Sequence, residues 1–431
     1  MTPGSTGPTL ADIDLENDVF AERVPHETFA LLRRESPVHW YDWKGGRGYW
    51  CVTRHSDLVA VHKDTETFSS ETGGTALEDL EPDAVEARKS MLDMDPPAHT
   101  RLRALVNKGF TPRAVRAYEE LLRRLTRAIL DRALAMGEFD FIEEIAKELP
   151  IRVLARLLGA PEGDTDRLIH WGDRMIGNAD PDYSDVLFDS AESERYRLLP
   201  FRSPAALELW QYGHHLAELR RADPQDDLVT KLVQAEIDGE RLSEREFDTM
   251  FLLLVVAGNE TTRQAIAHGM LALMEHRDQW DRLREDERLL PAAVDEILRW
   301  STPVLHFRRT ATRDVELRGR LIRAGDKVVT WYVSANRDED VFAEPHRFDV
   351  GRRPNDHVTF GKGGPHFCLG AHLAKLEIRV MFEELLPRLA DMEPAGPVER
   401  TRTNFTNALK RMPVRASGAA AGDGTTWRAE R

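Results

Sequence analysis

Phe360-Gly361-Lys362-Gly363-Gly364-Pro365-His366-Phe367-Cys368-Leu369-Gly370 holds one of the two cysteines in a chain of 431 residues. Three glycines and a proline stand ahead of Cys368, so the backbone can take a tight turn that few other residues could follow. Over 369–386 the apolar residues Leu369, Leu373, Leu376 and Val380 recur at helical spacing, with Ile378 and Met381 beside them. The pattern predicts a helix with Cys368 at its N-terminus and Gly370 just inside it. That position favours an anion: a thiolate there is expected to have a lowered pKa, and an iron or zinc ion would ionise it fully.

A second stretch lies about 110 residues upstream. Ser243 and Glu246 form a capping box that opens a helix predicted to continue to about Glu275, roughly 48 Å of rise. Its middle, 250–257, is apolar on every side, so the helix must cross the core. Gly258-Asn259-Glu260-Thr261-Thr262 then interrupts the apolar pattern with residues that suit a buried helix interior poorly. A local cost without a packing gain points to function, the alternative being a threonine-rich kink that merely bends the helix. Asp95-Pro96-Pro97-Ala98-His99-Thr100-Arg101-Leu102-Arg103 places His99 and Arg103 four apart on one helix face, as donors to a buried anion or as a solvated surface pair.

The cysteine loop and these upstream motifs, in this order, resemble the cytochrome P-450 haem-thiolate monooxygenases. The family pattern sets its phenylalanine seven residues before the cysteine, whereas Phe360 is eight before Cys368 because the loop carries an extra glycine. That longer form is shared by an actinobacterial group that oxidises sterol side chains and methyl-branched lipids. The resemblance implies a mainly α fold with a smaller β-rich portion, a triangular prism around one buried haem b (heme b, iron protoporphyrin IX). It implies that Cys368 ligates the iron, with Phe360, Gly361 and Gly370 around the sulfur, and that Ala257 and Gly258 leave room for O2. Glu260 and Thr261 would relay protons. His99, Arg103, Arg309 and His366 would hold the propionates, and Glu296, Arg299 and Arg347 would form a structural triad. Val255, Val304, Leu305 and Phe405 are substrate-pocket candidates by position.

Composition bounds the partners. A net charge of −15 argues against nucleic acid, and two cysteines make no disulfide framework, which suits a reducing, cytoplasmic setting. Cys51, in an apolar strand-like run, is expected to be a buried structural thiol. The longest wholly apolar run, 250–257, is too short to span a membrane. Between 96 and 118 the charged residues are Arg101, Arg103, Lys108, Arg113 and Arg116, with no acid: a docking patch for an acidic redox partner, or a chance basic face. The resemblance implies electrons from a separate ferredoxin and ferredoxin reductase.

The remaining chain reads as a loose leader over 1–15, one catalytic domain over 16–415 and a disordered tail over 416–431. A hairpin is expected over 38–54, a substrate-covering loop over 69–92, helical pattern over 114–158 and a mobile lid over 175–205. Helices are expected at 204–221 and 226–237, strands at 304–309, 314–318 and 327–332, and a hairpin tip at 404–407 reaching the pocket. The reading is a monooxygenase that hydroxylates a sterol side chain, branched lipid or terpenoid. The alternatives are a natural-product tailoring hydroxylase or epoxidase acting on a polyketide or macrolide, a haem-thiolate peroxygenase, and a non-catalytic haem sensor.

Overall fold

Apolar residues on all faces of one long helix force the rest of the chain to wrap it. In the computed structural model, which describes residues 8–237 and 239–418, that helix is Glu244–Glu275, 32 residues long. Ser243 caps it as expected: its hydroxyl accepts from the Glu246 backbone N–H while the Glu246 carboxylate accepts from the Ser243 N–H at 2.9 Å. The helix runs unbroken through Gly258 and Thr262, and Thr261 Oγ1 donates to the Ala257 carbonyl one turn back at 3.0 Å. Helices Glu148–Leu158, Thr165–Ile176, Ala205–Ala222, Leu290–Ser301 and Ala371–Leu385 pack around it.

The β-rich portion is a five-stranded sheet ordered Val38–Tyr41, Tyr49–Val52, Lys327–Trp331, His306–Ala311 and Phe68–Ser69. The first two strands form the expected antiparallel hairpin, with Trp40 opposite Trp50. Cys51 is fully buried in it, and burial pushes its thiol pKa far up. A second sheet joins Leu389–Pro394, Pro413–Gly418 and Glu138–Asp140. Its strand Pro413–Gly418 carries order past 416, where the tail was expected to start; 419–431 lie outside the described residues.

Several other boundaries differ from expectation for local reasons. The leader packs at its inner end, where Leu15 is fully buried in a cluster with Phe20, Phe29 and Trp331. The helical stretch over 114–158 is split after Glu119–Leu134, because Gly137 takes a positive φ of 73° and Phe139 pairs with Val414. The helix expected over 226–237 shortens to Leu228–Val233, capped by Asp227, and Glu236–Ile237 turns back to pair with Glu240–Arg241. The 69–92 loop contains a helix, Pro82–Arg88. The segment expected as a lid is tied to that loop: Glu78 accepts from Arg88 Nη1 at 2.6 Å and Arg202 Nε at 2.5 Å, and Arg88 Nε donates to the Arg197 carbonyl at 2.7 Å.

Candidate active site

The glycines of the cysteine loop are there for space as well as conformation. Gly361 and Gly363 have φ of 76° and 103°, and a Cβ on Gly364 would collide with the His62 carbonyl. The loop closes with the Cys368 N–H donating to the Phe360 carbonyl at 2.8 Å, and the helix Ala371–Leu385 starts with Gly370 as its N-cap. Cys368 is exposed to a cavity whose opposite wall is the central helix. There Ala257 and Gly258 are bare, although the same helix is buried on both sides of them. A Cβ on Gly370 would meet nothing within 4 Å, whereas one on Gly258 would come within 3.3 Å of the Leu154 side chain. Between these surfaces lies a slot walled by Leu253, Leu254, Leu298, Phe360, Leu369 and Leu373.

Burial pushes the Cys368 thiol above its ordinary pKa, against the backbone N–H groups of Gly370 and Ala371 and the Arg103 guanidinium, which pull it down. This corrects the expectation of a lowered pKa. In the absence of a bound cation, desolvation outweighs the helix terminus.

Four predicted anion donors converge on one end of the slot. The His99 and His366 rings lie with centroids 4.2 Å apart, tilted by 47°, and Arg103 and Arg309 line the same cavity. His99 is 1 % exposed with both ring nitrogens unpartnered among the described residues. Arg309 donates only to the Arg308 carbonyl at 2.8 Å and Arg103 only to the Phe367 carbonyl at 2.5 Å, so neither guanidinium has a carboxylate partner there. Burial lowers the pKa of both histidines, His366 to about 3, leaving each a neutral ring with one N–H to give. A buried cation, a half-buried one and an orphaned histidine fit a planar ligand that brings two carboxylates, as haem b does.

Sequence reasoning missed His62, which lines the slot from helix His55–Lys63 with Nε2 3.1 Å from Thr330 Oγ1. Only tertiary packing brings it there. It also missed Glu377, a buried carboxyl one side of the slot, facing Thr262.

On the distal side, Thr261 lines the slot and also an adjoining chamber of about 290 Å³. Ala257, Leu253, Val304 and Phe307 are shared by both cavities, and Leu77, Leu80, Ile176, Phe188, Phe201 and Phe405 wall the chamber beyond them. Glu260 turns toward this chamber and away from the slot: Gln264 Nε2 donates to it at 2.9 Å, and it pairs with Arg263, which pairs in turn with Asp173 at 2.7 Å. Burial raises the Glu260 pKa against the pull of Arg263. Two pocket candidates are corrected. Val255 and Leu305 are fully buried in the core clusters and line neither cavity, because they point to the opposite side of the helix and strand from their lining neighbours.

The structural triad is also corrected. Glu296 and Arg299, both fully buried, pair at 2.8 Å, but the third member is Arg352, whose Nε donates to Glu296 at 3.0 Å. Arg347 points outward to Glu344 at 3.1 Å, and only its backbone carbonyl joins the network, accepting from Arg352 at 2.8 Å. In the basic patch, Arg101 is bound to Glu246 at 2.7 Å, whereas Arg113 and Arg116 are exposed; the Lys108 side chain lies outside the described residues.

A cysteine loop under a bare stretch of the central helix, with cations and histidines at one end of the slot, defines a haem-thiolate oxygenase. The chain belongs to the cytochrome P450 family, whose model matches residues 211–409. It is 41% identical over 420 residues to a steroid C26-monooxygenase of Mycolicibacterium smegmatis, covering 95% of each chain. It is 41% identical over 418 residues to a methyl-branched lipid omega-hydroxylase of Mycobacterium tuberculosis, covering 94% of this chain and 95% of that one. Among solved structures, a Mycobacterium marinum cytochrome P450 in complex with pseudoionone matches with a TM-score of 0.85 and 42% identity, over 95% of this chain and 100% of that one. The protein is therefore a haem b monooxygenase of mainly helical P450 fold, and no helix among its described residues is long and apolar enough to cross a membrane.

Proposed function

We propose that the enzyme hydroxylates an apolar substrate of the sterol, branched-lipid or terpenoid kind, held in the chamber beside Thr261. The observation that carries this reading is the continuity of that chamber with the slot, through a junction made mainly of the apolar side chains Leu92, Leu253, Ala257, Val304 and Phe307. The named activities of the steroid and branched-lipid relatives support it. Haem b, when bound, supplies the activation of O2, inserting one oxygen atom into a C–H bond and releasing the other as water.

In this reading Cys368 is the iron ligand and Phe360, Gly361 and Gly370 shape its surroundings. His99, Arg103, Arg309 and His366 take the propionates, joined by His62. Ala257 and Gly258 keep the distal face clear. The Thr261 hydroxyl rests on the Ala257 carbonyl and swings off it to give its proton into the slot, and Glu260, which lines the same chamber and is held by Arg263 and Gln264, is the carboxyl that restores that proton. Thr261→Ala is then expected to keep reduction but release peroxide with little product; unchanged product would remove Thr261 from this role. Electrons come from a ferredoxin and its reductase, docking near Arg113 and Arg116, and the two unpaired cysteines suit work in the cytoplasm.

The test is a ferric absorbance titration of the haem-loaded protein with a sterol-3-one, a branched fatty acid, a monoterpene and a macrolide. A saturable spin-state shift with one of the first three is expected. A response to the macrolide alone would move the enzyme to polyketide tailoring.

A further inference from the structure

The charged side chains that line the substrate chamber are all paired. Glu78 sits between Arg88 and Arg202, Glu260 is held by Arg263 and Gln264, and Asp93 accepts from Thr75 and Ser90. Its hydroxyls are mostly engaged too: Thr249 and Thr261 each donate to a helix carbonyl at 3.0 Å, and Thr403 accepts from the Phe405 N–H at 3.1 Å. Two side chains break this rule. His306 is 1 % exposed, and neither ring nitrogen has a hydrogen bond within 3.5 Å among the described residues; the neighbouring Asn404 side chain gives its amide N–H to the Leu15 carbonyl at 2.8 Å. Thr406, 2 % exposed, has a hydroxyl in the same condition.

Both line the chamber, and the backbone brings them near each other. Val304 bridges to Thr406, and the Leu305 N–H donates to the Phe405 carbonyl at 2.9 Å, so the strand carrying His306 is stitched to the turn carrying Thr406. The His306 ring stands edge-on to Phe405 at 5.7 Å. Buried polar groups are rarely left without partners, because each then loses its water and gains nothing. His99 in the neighbouring slot carries the same signature, and there a ligand of known chemistry supplies the missing partner. Burial also pushes the His306 pKa down to about 3, so its ring is neutral and offers one N–H and one lone pair.

We propose that His306 and Thr406 form a polar notch that takes the uncharged oxygen, a carbonyl or hydroxyl, of an otherwise apolar substrate. The inference deepens the hydroxylase reading and rests on it. A carboxylate is disfavoured at this notch, because no unpaired cation lines the chamber to replace its lost hydration. The reacting carbon lies at the Ala257 and Thr261 end of the chamber, so the substrate carries its recognised oxygen elsewhere on the skeleton.

Spin-state titration of the haem-loaded protein tests this with matched ligands: a ketosteroid, the same skeleton without the ketone, the same skeleton with a carboxylate in its place, and a terpenoid ketone with its parent hydrocarbon. One buried hydrogen bond predicts that each ketone binds about tenfold tighter than its hydrocarbon. His306→Phe and Thr406→Val, each checked for an unchanged Soret band, should shrink that preference while leaving hydrocarbon affinity within about twofold. A wild type that shifts spin state without favouring the ketone, or that favours the carboxylate, overturns the notch but leaves the hydroxylase reading standing. So do folded variants that keep the full preference. No shift with any of the ligands removes the hydroxylase reading and the notch with it.

Discussion

Glu377 is a carboxyl enclosed between the cysteine helix and Thr262, and burial raises its pKa from an ordinary 4.5 to about 8. The native state therefore keeps a proton that the unfolded chain loses above about pH 4.5. Its contribution to stability is complete below that pH and erodes as pH rises toward 8, by an amount on the order of a few kcal/mol. Thermal unfolding of the holoprotein between pH 5 and 8 should show a falling Tm that Glu377→Gln flattens; an equally steep fall in the variant would contradict the assignment. Glu377 carries no local signal, since its neighbours in sequence read as an ordinary helix. Cys368, Thr261 and His99 were legible because their motifs are contiguous and their chemistry is unusual for the element that bears them. Val255 and Leu305 were not, because a step of one residue turns a helix by about 100° and flips a strand to its other face.

The segment beneath the cysteine loop depends on which arginine turns inward. Glu296 accepts from Arg299 on its own helix and from Arg352, Asn355 and the Asp349 N–H, these three from a stretch with little regular structure. Arg352→Ala leaves a fully buried carboxylate short of one cation and should cost about 3–5 kcal/mol, read as a loss of Tm and of retained haem. Arg347→Ala removes an exposed pair and should fall within about 0.5 kcal/mol of wild type. The reverse ranking in chemical denaturation would restore Arg347 to the network. Sequence placed the Glu296 and Arg299 pair correctly, because their spacing is a helical one. It could not choose between Arg347 and Arg352, because in irregular chain the direction of a side chain follows from packing, not from periodicity. The central helix shows the opposite case: its cap, length and apolar middle were all local, and they hold in the fold.

Across the whole molecule, a charge of −15 repels an acidic electron donor, so the exposed Arg113 and Arg116 matter more than their number suggests. Reversing both to glutamate should slow reduction by an acidic ferredoxin by about tenfold at low ionic strength, with the difference shrinking as salt is added. Ligand-induced spin shifts should not change; a variant reduced at the wild-type rate would move the docking face elsewhere. The five-stranded sheet and the helices around the central one were expected as a class. The ion-pair tie from Glu78 to Arg88 and Arg202 was not, since it joins segments more than a hundred residues apart.

The claim on which the rest depends is that Cys368 ligates the haem iron. The direct measurement is the absorbance and electron paramagnetic resonance of the haem-loaded protein beside its Cys368→Ser variant, with haem content matched. The wild type should carry the thiolate signature in both the ferric and the reduced carbonmonoxy forms, and the variant should lose it. A variant that keeps the thiolate signature would show that another group holds the iron.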